Sequence, residues 1–334
     1  MNAQAGFGRR MEIVGLLADG EVHSGEALAA ALSVSRAAVW KQVRALEDWG
    51  LAVQAAPGRG YRLDSPVELL EASRIRSRLM GPAAGRLRTL EVLTETGSTN
   101  THLLQVPPVP AGRFDACLAE FQSAGRGRRG RSWVAPFGSG LCLSLGWTFA
   151  LIPSQLPALS LAVGVGILRS LDEAGVRGAS LKWPNDVLLD GGKLGGVLIE
   201  LRAEAGGPAQ VVIGIGLNVR LPQRVRAEIG AMGLAVADLA GDAGIAASRN
   251  ALAAALINRL VPLLEEFEAQ GFEPFAGEWT RADALRGLPA RVQAGDTTIE
   301  GVARGIDADG ALLLEAGGQL KRFISGEASL RPVA

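Results

Sequence analysis

Apolar residues recur at helical spacing through the first fifty positions of the chain. This pattern predicts helices over Met11–Leu17, Gly25–Leu32 and Arg36–Trp49. Ser24 and Ser35 stand directly before the second and third helices. A serine at such a position can accept a hydrogen bond from a backbone N–H of the first turn, so both helix starts are well marked.

A β-hairpin is predicted after the third helix. Leu51–Gln54 and Tyr61–Leu63 are strand-like, and Ala56–Gly60 between them has the composition of a turn. Three helices and a hairpin predict a winged helix-turn-helix domain over residues 1–66, a fold that places the start of its third helix in the DNA major groove. The candidate DNA-binding residues are Ser35, Arg36, Ala37, Trp40, Lys41, Arg44 and Arg59.

The charge of this domain is concentrated on one part of it. Residues 1–66 hold seven Lys/Arg and seven Asp/Glu, whereas residues 35–63 hold five Lys/Arg and two Asp/Glu. Such a basic face makes only a few phosphate contacts per chain, so a dimer on two half-sites would bind DNA better. A protein-interaction domain, or a helical domain that no longer regulates, is the alternative.

The middle of the chain contains long apolar runs. Ser132–Leu168 carries no charged residue, but its prolines divide it into pieces shorter than the ~20 apolar residues of a membrane-spanning helix. A buried strand over Leu141–Phe149 followed by a buried helix is therefore predicted. Further predicted elements are a linker helix over Glu68–Leu79 and strands over Thr89–Leu93, Ala116–Phe121 and Val211–Asn218.

A second hairpin is predicted around Asp190-Gly-Gly192. The strand before it runs into Pro184, so Lys182 and Asp186 lie near a strand end, and Lys193 opens the strand that follows. Gly195-Gly196 leaves that second strand without side chains. These glycines indicate either a bulge or the close approach of a flat ligand.

The last part of the chain is predicted to form a small β-barrel. An amphipathic helix over Asn250–Gln270 and a segment over Glu273–Arg281 close a central domain of residues 67–281. Residues 282–334 then contain short strands separated by glycine turns. The predicted strands are Ala290–Gln293, Thr298–Ile306, Ala311–Glu315 and Gln319–Phe323.

Composition excludes few classes of function. Lys+Arg and Asp+Glu are both 34 among 334 residues, so the net charge does not point to a partner.

Cys117 and Cys142 lie in apolar runs and are expected to be buried free thiols in a reducing cytosol. With two histidines and no sequence cluster of Cys and His, no metal site is predicted. No secretory signal is recognised, and a cytoplasmic protein without a membrane partner is expected.

The most distinctive segment is Gly125–Arg131, which holds four arginines and three glycines. Glycines let backbone N–H groups approach an anion, and guanidinium groups pair with phosphate or carboxylate. A flexible basic surface loop is the alternative, but strand-like runs on both sides suggest a binding loop held by a sheet. The glycine patterns of the chain match neither a P-loop nor a dinucleotide-binding fingerprint, and there is no Gly-x-Ser-x-Gly elbow.

The chain resembles the biotin protein ligases of the bifunctional type that also represses the biotin operon. The resemblance rests on Gly97-Ser-Thr-Asn100, on the segment from Glu120 to Arg131, on Lys182-Trp-Pro-Asn-Asp186 and on Lys193-Leu-Gly-Gly196. Segments of both terminal regions also match, among them Pro57-Gly-Arg-Gly-Tyr61, the run from Arg304 to Glu315, and Gly326–Arg331. The matching segments occur in the same order over nearly the whole chain.

The resemblance implies a multidomain α+β fold and a two-step reaction. The fold is a winged helix-turn-helix, a mixed-sheet catalytic domain of the biotin/lipoate ligase type (class II synthetase-like) and an SH3-like barrel. Biotin and Mg-ATP would give biotinyl-5′-adenylate, which then biotinylates a lysine of the biotin carboxyl carrier protein of acetyl-CoA carboxylase. It also implies a homodimer that binds operator DNA when biotinyl-AMP is bound.

The resemblance also implies roles for particular residues. Ser98, Thr99, Asn100, Gln122, Arg126, Gly127, Arg128, Lys193, Gly195 and Gly196 would bind biotin. Arg126, Arg128, Arg129, Trp133 and Asn218 would contact the nucleotide, and the catalytic set would be Arg128, Lys182, Asp186 and Lys193. Asp186 could bind magnesium or accept the proton of the incoming lysine. Arg331 is a further, weaker candidate.

One segment departs from the family pattern, and three alternative functions are considered. Val219–Gly241 does not match the adenylate-ordering loop of the family, so no adenine contacts are assigned there. The alternative functions are a ligase with a non-regulatory N-terminal domain, a lipoate ligase, and a biotin sensor without chemistry.

Overall fold

The chain folds into three structural regions. A computed structural model describes residues 3–150, 153, 155–203, 209–294, 297–324 and 328–332. A small helical region with a hairpin precedes a seven-stranded mixed sheet, and a five-stranded antiparallel sheet follows. This order is the predicted multidomain α+β architecture. Among the described residues, no helix has both the length and the apolar character that crossing a membrane requires.

The N-terminal region contains the predicted helices and hairpin. Ser24 Oγ accepts a hydrogen bond from Ala27 N at 3.0 Å, and Ser35 Oγ accepts one from Ala38 N at 3.2 Å, so both serines cap helices as predicted. The third helix is α-helical only to Arg44 and continues as a 3₁₀ turn. The elements are α1 (Ala3–Leu17), α2 (Gly25–Ala31), α3 (Arg36–Arg44), the 3₁₀ turn Ala45–Trp49, β1 (Val53–Ala56) and β2 (Gly60–Leu63).

This region packs directly on the central one. Trp49 is 1% exposed and belongs to an apolar cluster that includes Ile13, Val39 and, from the central region, Phe137. The Trp49 and Phe137 rings stack with centroids 5.0 Å apart, and Phe137 N donates to Trp49 O at 2.8 Å. The end of the third helix is therefore fixed against the chain that follows the arginine-rich loop.

The linker helix predicted over Glu68–Leu79 is wrong in its first part. Only α4 (Ala72–Arg76) is helical, and α5 (Gly81–Arg86) follows it. Residues before α4 bind distant groups instead: the Glu68 carboxylate accepts hydrogen bonds from Ser248 Oγ and the backbone N of Arg249. These long-range bonds hold the linker in an extended conformation that its local sequence does not indicate.

The central sheet has strand order β3-β4-β5-β9-β8-β7-β6. β3 and β4 are parallel, and all other neighbours are antiparallel. The strands are β3 (Leu87–Thr96), β4 (Phe114–Gln122), β5 (Gly140–Phe149), β6 (Ala179–Lys182), β7 (Asp186–Leu189), β8 (Gly192–Ala203) and β9 (Ala209–Asn218). The helices are α6 (Thr99–Gln105), α7 (Leu159–Glu173), α8 (Gln223–Ala231), α9 (Arg249–Gln270) and α10 (Glu273–Ala282).

The two faces of this sheet are covered differently. α7 and α9 pack on the face that carries Ala116 and Ile213 and form the main core. α6 covers the other face, where Leu103, Cys117 and Val212 form a small apolar cluster. Both cysteines are buried free thiols, as predicted, and burial raises the pKa of Cys117 to about 12 and that of Cys142 to about 11.

The C-terminal sheet has strand order β13-β12-β11-β10-β14, and all its pairs are antiparallel. The four predicted strands are present, and a fifth was not predicted. The strands are β10 (Pro289–Ala294), β11 (Thr297–Ile306), β12 (Leu312–Ala316), β13 (Gln319–Phe323) and β14 (Ala328–Pro332). Residues of this sheet share the main apolar core, and Trp183 Nε1 donates to Gly310 O at 3.1 Å. The domain boundaries at 66 and 281 stay predictions, and the side chain of Arg331 lies outside the described residues.

Candidate functional site

A cavity of about 1230 Å³ opens beside the loop that joins β4 to β5. Its wall also includes parts of α6, the β6–β7 hairpin, β8, β9 and the segment after β9. Of the fifteen residues predicted for the ligand and catalytic roles, fourteen line it. They are Ser98, Thr99, Asn100, Gln122, Arg126, Gly127, Arg128, Arg129, Trp133, Lys182, Asp186, Lys193, Gly196 and Asn218.

Gly195 is the exception, since it does not line the cavity, and its contact with biotin stays a prediction. A Cβ at this position would lie 2.4 Å from Gly216 O and from Leu217 Cδ2. The missing side chain thus permits close packing of β8 against β9. Gly196 does line the cavity, where a Cβ would approach the Asp186 carboxylate and the Lys193 side chain.

The arginine-rich loop is a tight hairpin. Gly127 N donates to Arg131 O at 2.7 Å, and Trp133 N donates to Gly125 O at 2.8 Å. At its tip Arg129 has a left-handed φ of 56°. The hairpin returns Trp133 to the cavity wall, which the four arginines of the loop also line.

Arg126 and Arg128 have different electrostatic environments. Arg126 Nη2 donates to Glu200 Oε2 at 2.8 Å and to Thr101 Oγ1 at 2.9 Å. Arg128 is half-buried, and no described residue accepts a hydrogen bond from its guanidinium. Burial lowers the pKa of Arg128, and the neighbouring Arg129 lowers it further. An incompletely neutralised, partly desolvated cation favours an anionic ligand.

Two lysines share one carboxylate in the lining of the cavity. Lys193 Nζ donates to Asp186 Oδ1 at 2.6 Å, and Lys182 Nζ lies 3.6 Å from Asp186 Oδ2. Asp186 and Lys182 are cross-strand partners in the β6–β7 hairpin, which explains the contact. Lys193 also lies over the Trp133 ring, with Nζ 5.9 Å from the centroid.

The start of α6 presents hydrogen-bonding groups to the cavity. Ser98 occupies the N-cap position, but its side chain makes no capping hydrogen bond. Thr99 N donates to Gln122 Oε1 at 2.8 Å. Ser144 Oγ lies 2.7 Å from Thr99 Oγ1 and 2.6 Å from Asn100 Oδ1, so buried partners fix both side chains.

Two glycines of β9 make room for site residues, a role that the sequence analysis missed. A Cβ at Gly214 would lie 2.3 Å from Asn100 Oδ1, and one at Gly216 would lie 2.5 Å from Trp133 Cε2. The sequence signal for this role is that Gly214 and Gly216 stand at alternate positions of an otherwise apolar strand. Without the fold, nothing indicated which side chains occupy the space.

The segment after β9 also forms part of the wall. Val236 forms an isolated bridge with Lys193, and Asn218 Nδ2 donates to Ala237 O at 3.0 Å. Met232 and Leu234 line the cavity and are more than half exposed. No ligand contact is predicted for this segment from sequence, because its residues do not match the adenylate-ordering loop of the family.

The predicted DNA-binding residues lie at the N-cap of α3, in α3 itself and in the turn between β1 and β2. All seven are exposed, from Ser35 at the start of α3 to Arg59 in the hairpin turn. Arg36 pairs with Glu26 at 3.2 Å, and the Arg44 guanidinium lies 5.1 Å from the Trp40 ring centroid. Trp40 itself is 52% exposed, which is unusual for a tryptophan without a partner surface.

Sequence profiles of three known families match three parts of the chain. The Biotin/lipoate A/B protein ligase family matches residues 92–218, an HTH domain matches 9–62, and the Biotin protein ligase C terminal domain matches 289–331. A bifunctional ligase/repressor from Escherichia coli K12 is 42% identical over 96% of this chain and 97% of its own length. The chain belongs to the bifunctional biotin ligase/repressor family. A Bacillus subtilis bifunctional ligase/repressor is 32% identical over 94% of this chain and 95% of that one.

Solved structures agree with the assignment of this ligase. The biotin protein ligase from Aquifex aeolicus, in complex with biotin and ATP, superposes with a TM-score of 0.62 at 28% identity. The match covers 74% of this ligase and 100% of the Aquifex chain. The three matched profiles fall on the helical region, the mixed sheet and the C-terminal sheet, in that order.

Proposed function

We propose that the protein is an ATP-dependent biotin protein ligase that also represses biotin-synthesis genes. In the first step a biotin carboxylate oxygen attacks the α-phosphorus of ATP, giving biotinyl-5′-adenylate and pyrophosphate. In the second step a lysine amine of a carrier protein attacks the acyl carbon. An amide bond forms, AMP leaves, and the amine loses a proton.

The observation that carries this proposal is the excess of positive charge around the cavity. Arg128, Lys182 and Lys193 surround it, and Asp186 is the only carboxylate among its described lining residues. Biotin and ATP are both anions, so bringing them together requires cations placed where charge develops in the transition state. A preformed cationic site meets this requirement without reorganisation.

The geometry supports a separate place for each part of the substrates. The polar groups of Ser98, Thr99, Asn100 and Gln122 cluster at the start of α6, which suits the neutral ureido head of biotin. We assign Lys193 and Arg128 to the biotin carboxylate and later to the adenylate phosphate. The Trp133 indole offers a stacking surface near the nucleotide, and Arg126, Arg129 and Asn218 are assigned to the nucleotide side.

Mg²⁺ is assigned to the substrate rather than to the protein. Magnesium prefers oxygen ligands and usually binds through one or two carboxylates plus substrate phosphates. Both oxygens of Asp186 already face lysine ammonium groups, so this carboxylate does not fit a protein-bound magnesium site. We assign Asp186 instead to holding Lys193 and Lys182 in position.

The helical region supports regulation of transcription. Its exposed basic face suits operator DNA, and a biotinyl-AMP-dependent homodimer would place two such faces on two half-sites. The expected acceptor is the biotin carboxyl carrier protein of acetyl-CoA carboxylase, and the expected compartment is the cytoplasm, where ATP is available. A ligase with a non-regulatory N-terminal domain is the second candidate, because only one part of this domain is basic.

Biotin-dependent exchange between ATP and pyrophosphate tests the enzyme. Exchange with biotin, and transfer of biotin to the carrier lysine, are expected. Exchange with lipoate in place of biotin would support a lipoate ligase, and no exchange with either would contradict adenylation. A gel shift of a biotin-gene upstream region with and without biotinyl-AMP tests repression, and binding under neither condition would reject it.

A further inference from the structure

Three side chains with metal-binding atoms meet on the face of the central sheet that α6 covers. They are Glu91 on β3, His102 on α6 and Cys117 on β4. His102 Nε2 lies 2.6 Å from Glu91 Oε2, and the carboxylate oxygen, the imidazole nitrogen and the Cys117 sulfur all lie within 4.8 Å of one another. The cluster lies outside the cavity lining described above.

The fold explains why these residues meet. Glu91 and Cys117 are register partners on the parallel strands β3 and β4, so their side chains project from the same face. α6 crosses that face and brings His102 over the pair. Sequence spacing predicts no metal site here, because the three residues share no local motif and meet only after strand pairing.

The donor set has the chemistry of a zinc site. Zinc binds sulfur, imidazole nitrogen and carboxylate oxygen at ~2.0–2.3 Å, so ligand atoms around tetrahedral zinc lie roughly 3.3–3.8 Å apart. The 2.6 Å contact between His102 and Glu91 must open to reach that spacing, and the distances to the Cys117 sulfur are already within 4.8 Å. A thiolate together with an imidazole disfavours magnesium and calcium, which prefer oxygen ligands alone.

Burial is graded across the cluster. Cys117 is fully buried, His102 is half-buried, and Glu91 is exposed. A metal here would be closed on the sheet side and open to solvent on the Glu91 side, which leaves a fourth position for water. On binding, the thiol proton leaves to solvent and the sulfur coordinates as a thiolate.

We propose that Glu91, His102 and Cys117 form a binding site for one zinc ion. The ion would join β3, β4 and α6 through three ligands. α6 also carries Thr99 and Asn100 in its first turn, and Ser144, the register partner of Cys117 on β5, contacts both. Zinc would therefore stabilise the helix whose start forms part of the cavity wall, whatever ligand that cavity binds.

Cobalt(II) titration of the full-length protein tests the site. After chelator treatment, one equivalent of cobalt is expected to produce a thiolate-to-metal charge-transfer band and visible bands of a four-coordinate ion. Zinc should displace the cobalt and remove both bands. The absence of a charge-transfer band from the wild-type protein would overturn the proposal.

The chain offers matched controls. His23 pairs with Asp19 as His102 pairs with Glu91, so His23→Ala should leave the cobalt spectrum unchanged and His102→Ala should remove it. Cys117→Ser should abolish the charge-transfer band, whereas Cys142→Ser should retain it. A band that survived Cys117→Ser or His102→Ala would overturn the proposed ligands.

A second measurement covers the case in which Cys117→Ser fails to fold. Glu91→Gln and His102→Ala alter side chains that are not fully buried, so both proteins are expected to fold. One equivalent of zinc should raise the Tm of the wild type and of His23→Ala. The increase should be lost in His102→Ala, and an equal increase there would contradict the site.

Discussion

Trp49 Nε1 donates a hydrogen bond to Glu95 Oε2 across 3.0 Å and so joins the end of the third helix to the central sheet. The same indole stacks on Phe137. Trp49→Phe keeps an aromatic ring but removes the donor, and it is expected to lower the free energy of unfolding by about 1 kcal/mol, because Glu95 is exposed and the bond is only partly buried.

Denaturant unfolding measures this loss, and Trp40→Phe is the control. Trp40 is 52% exposed and should tolerate the same change with little loss. Equal stabilities of Trp49→Phe and wild type would show that the contact contributes nothing measurable.

Replacing Arg128 with glycine is expected to release the adenylate. The loss of a charge-assisted hydrogen bond of about 1.5–3 kcal/mol corresponds to dissociation faster by roughly tenfold to a hundredfold. Free biotinyl-adenylate would then acylate lysines of unrelated proteins. Adenylate off-rates measure the effect. Arg177→Gly is the control, because Arg177 is exposed and pairs with Asp172 outside the cavity lining; an unchanged off-rate in Arg128→Gly would exclude this role.

Lys193→Ala is expected to lower the rate of biotin-dependent pyrophosphate exchange by about 10²–10³, the typical effect of removing a group that stabilises charge in the transition state. The fold should persist, since Lys193 is only partly buried and its backbone bonds to Ala235 and Ala237 remain. Lys321→Ala, an exposed change on β13, is the control. Wild-type exchange in Lys193→Ala would contradict the assignment.

A methyl group at Gly216 should weaken nucleotide binding by roughly fivefold to a hundredfold. Its Cβ would lie 2.5 Å from the Trp133 ring, so the indole must move, at a cost of about 1–3 kcal/mol. Gly146→Ala on β5 is a matched control, because its Cβ would meet Asp115 and Leu103 at an ordinary 3.8 Å. Titration calorimetry with a non-hydrolysable ATP analogue compares the two, and equal affinities would show that Trp133 does not shape the nucleotide side of the site.

Stability should depend on pH through Glu68. Burial alone would raise the pKa of this carboxyl, but hydrogen bonds from Asn250, Ser248 and the backbone of Arg249 outweigh burial and lower the pKa below 4.5. The carboxylate therefore stabilises the fold at neutral pH, and the contribution is lost as pH falls through the lowered folded-state pKa. Glu68→Gln should destabilise the protein at pH 7 and lose that disadvantage in acid. A stability difference that did not change with pH would reject this explanation.

Local patterns predicted the elements whose causes are local. Ser24 and Ser35 begin helices because a hydroxyl caps the next turn, and the hairpin before Lys193 follows from its glycines. The extended linker at Glu68 could not be predicted, because its hydrogen-bond partners lie almost two hundred residues away in sequence.

In the candidate site, too, local motifs could be predicted from sequence, and contacts between distant segments could not. Nearly all of the residues that the motifs predicted for the site line the cavity, but the motifs did not distinguish Gly195, which packs against β9, from Gly216, which makes room for Trp133. That distinction depends on which residues lie against each glycine in the folded protein, namely Leu217 of β9 at Gly195 and Trp133 at Gly216. The cluster of Glu91, His102 and Cys117 likewise exists only through strand register and helix placement.

The pairing of Arg126 with Glu200 makes ligand binding an exchange of partners. An anionic substrate that recruits this arginine must draw it from a carboxylate that also accepts a hydrogen bond from Asn100. The gain in affinity is then the difference between two ion pairs, not the full strength of one. Arg126 is therefore suited to discriminating between ligands, whereas Arg128, whose guanidinium donates to none of the described residues, is suited to retaining the ligand that is bound.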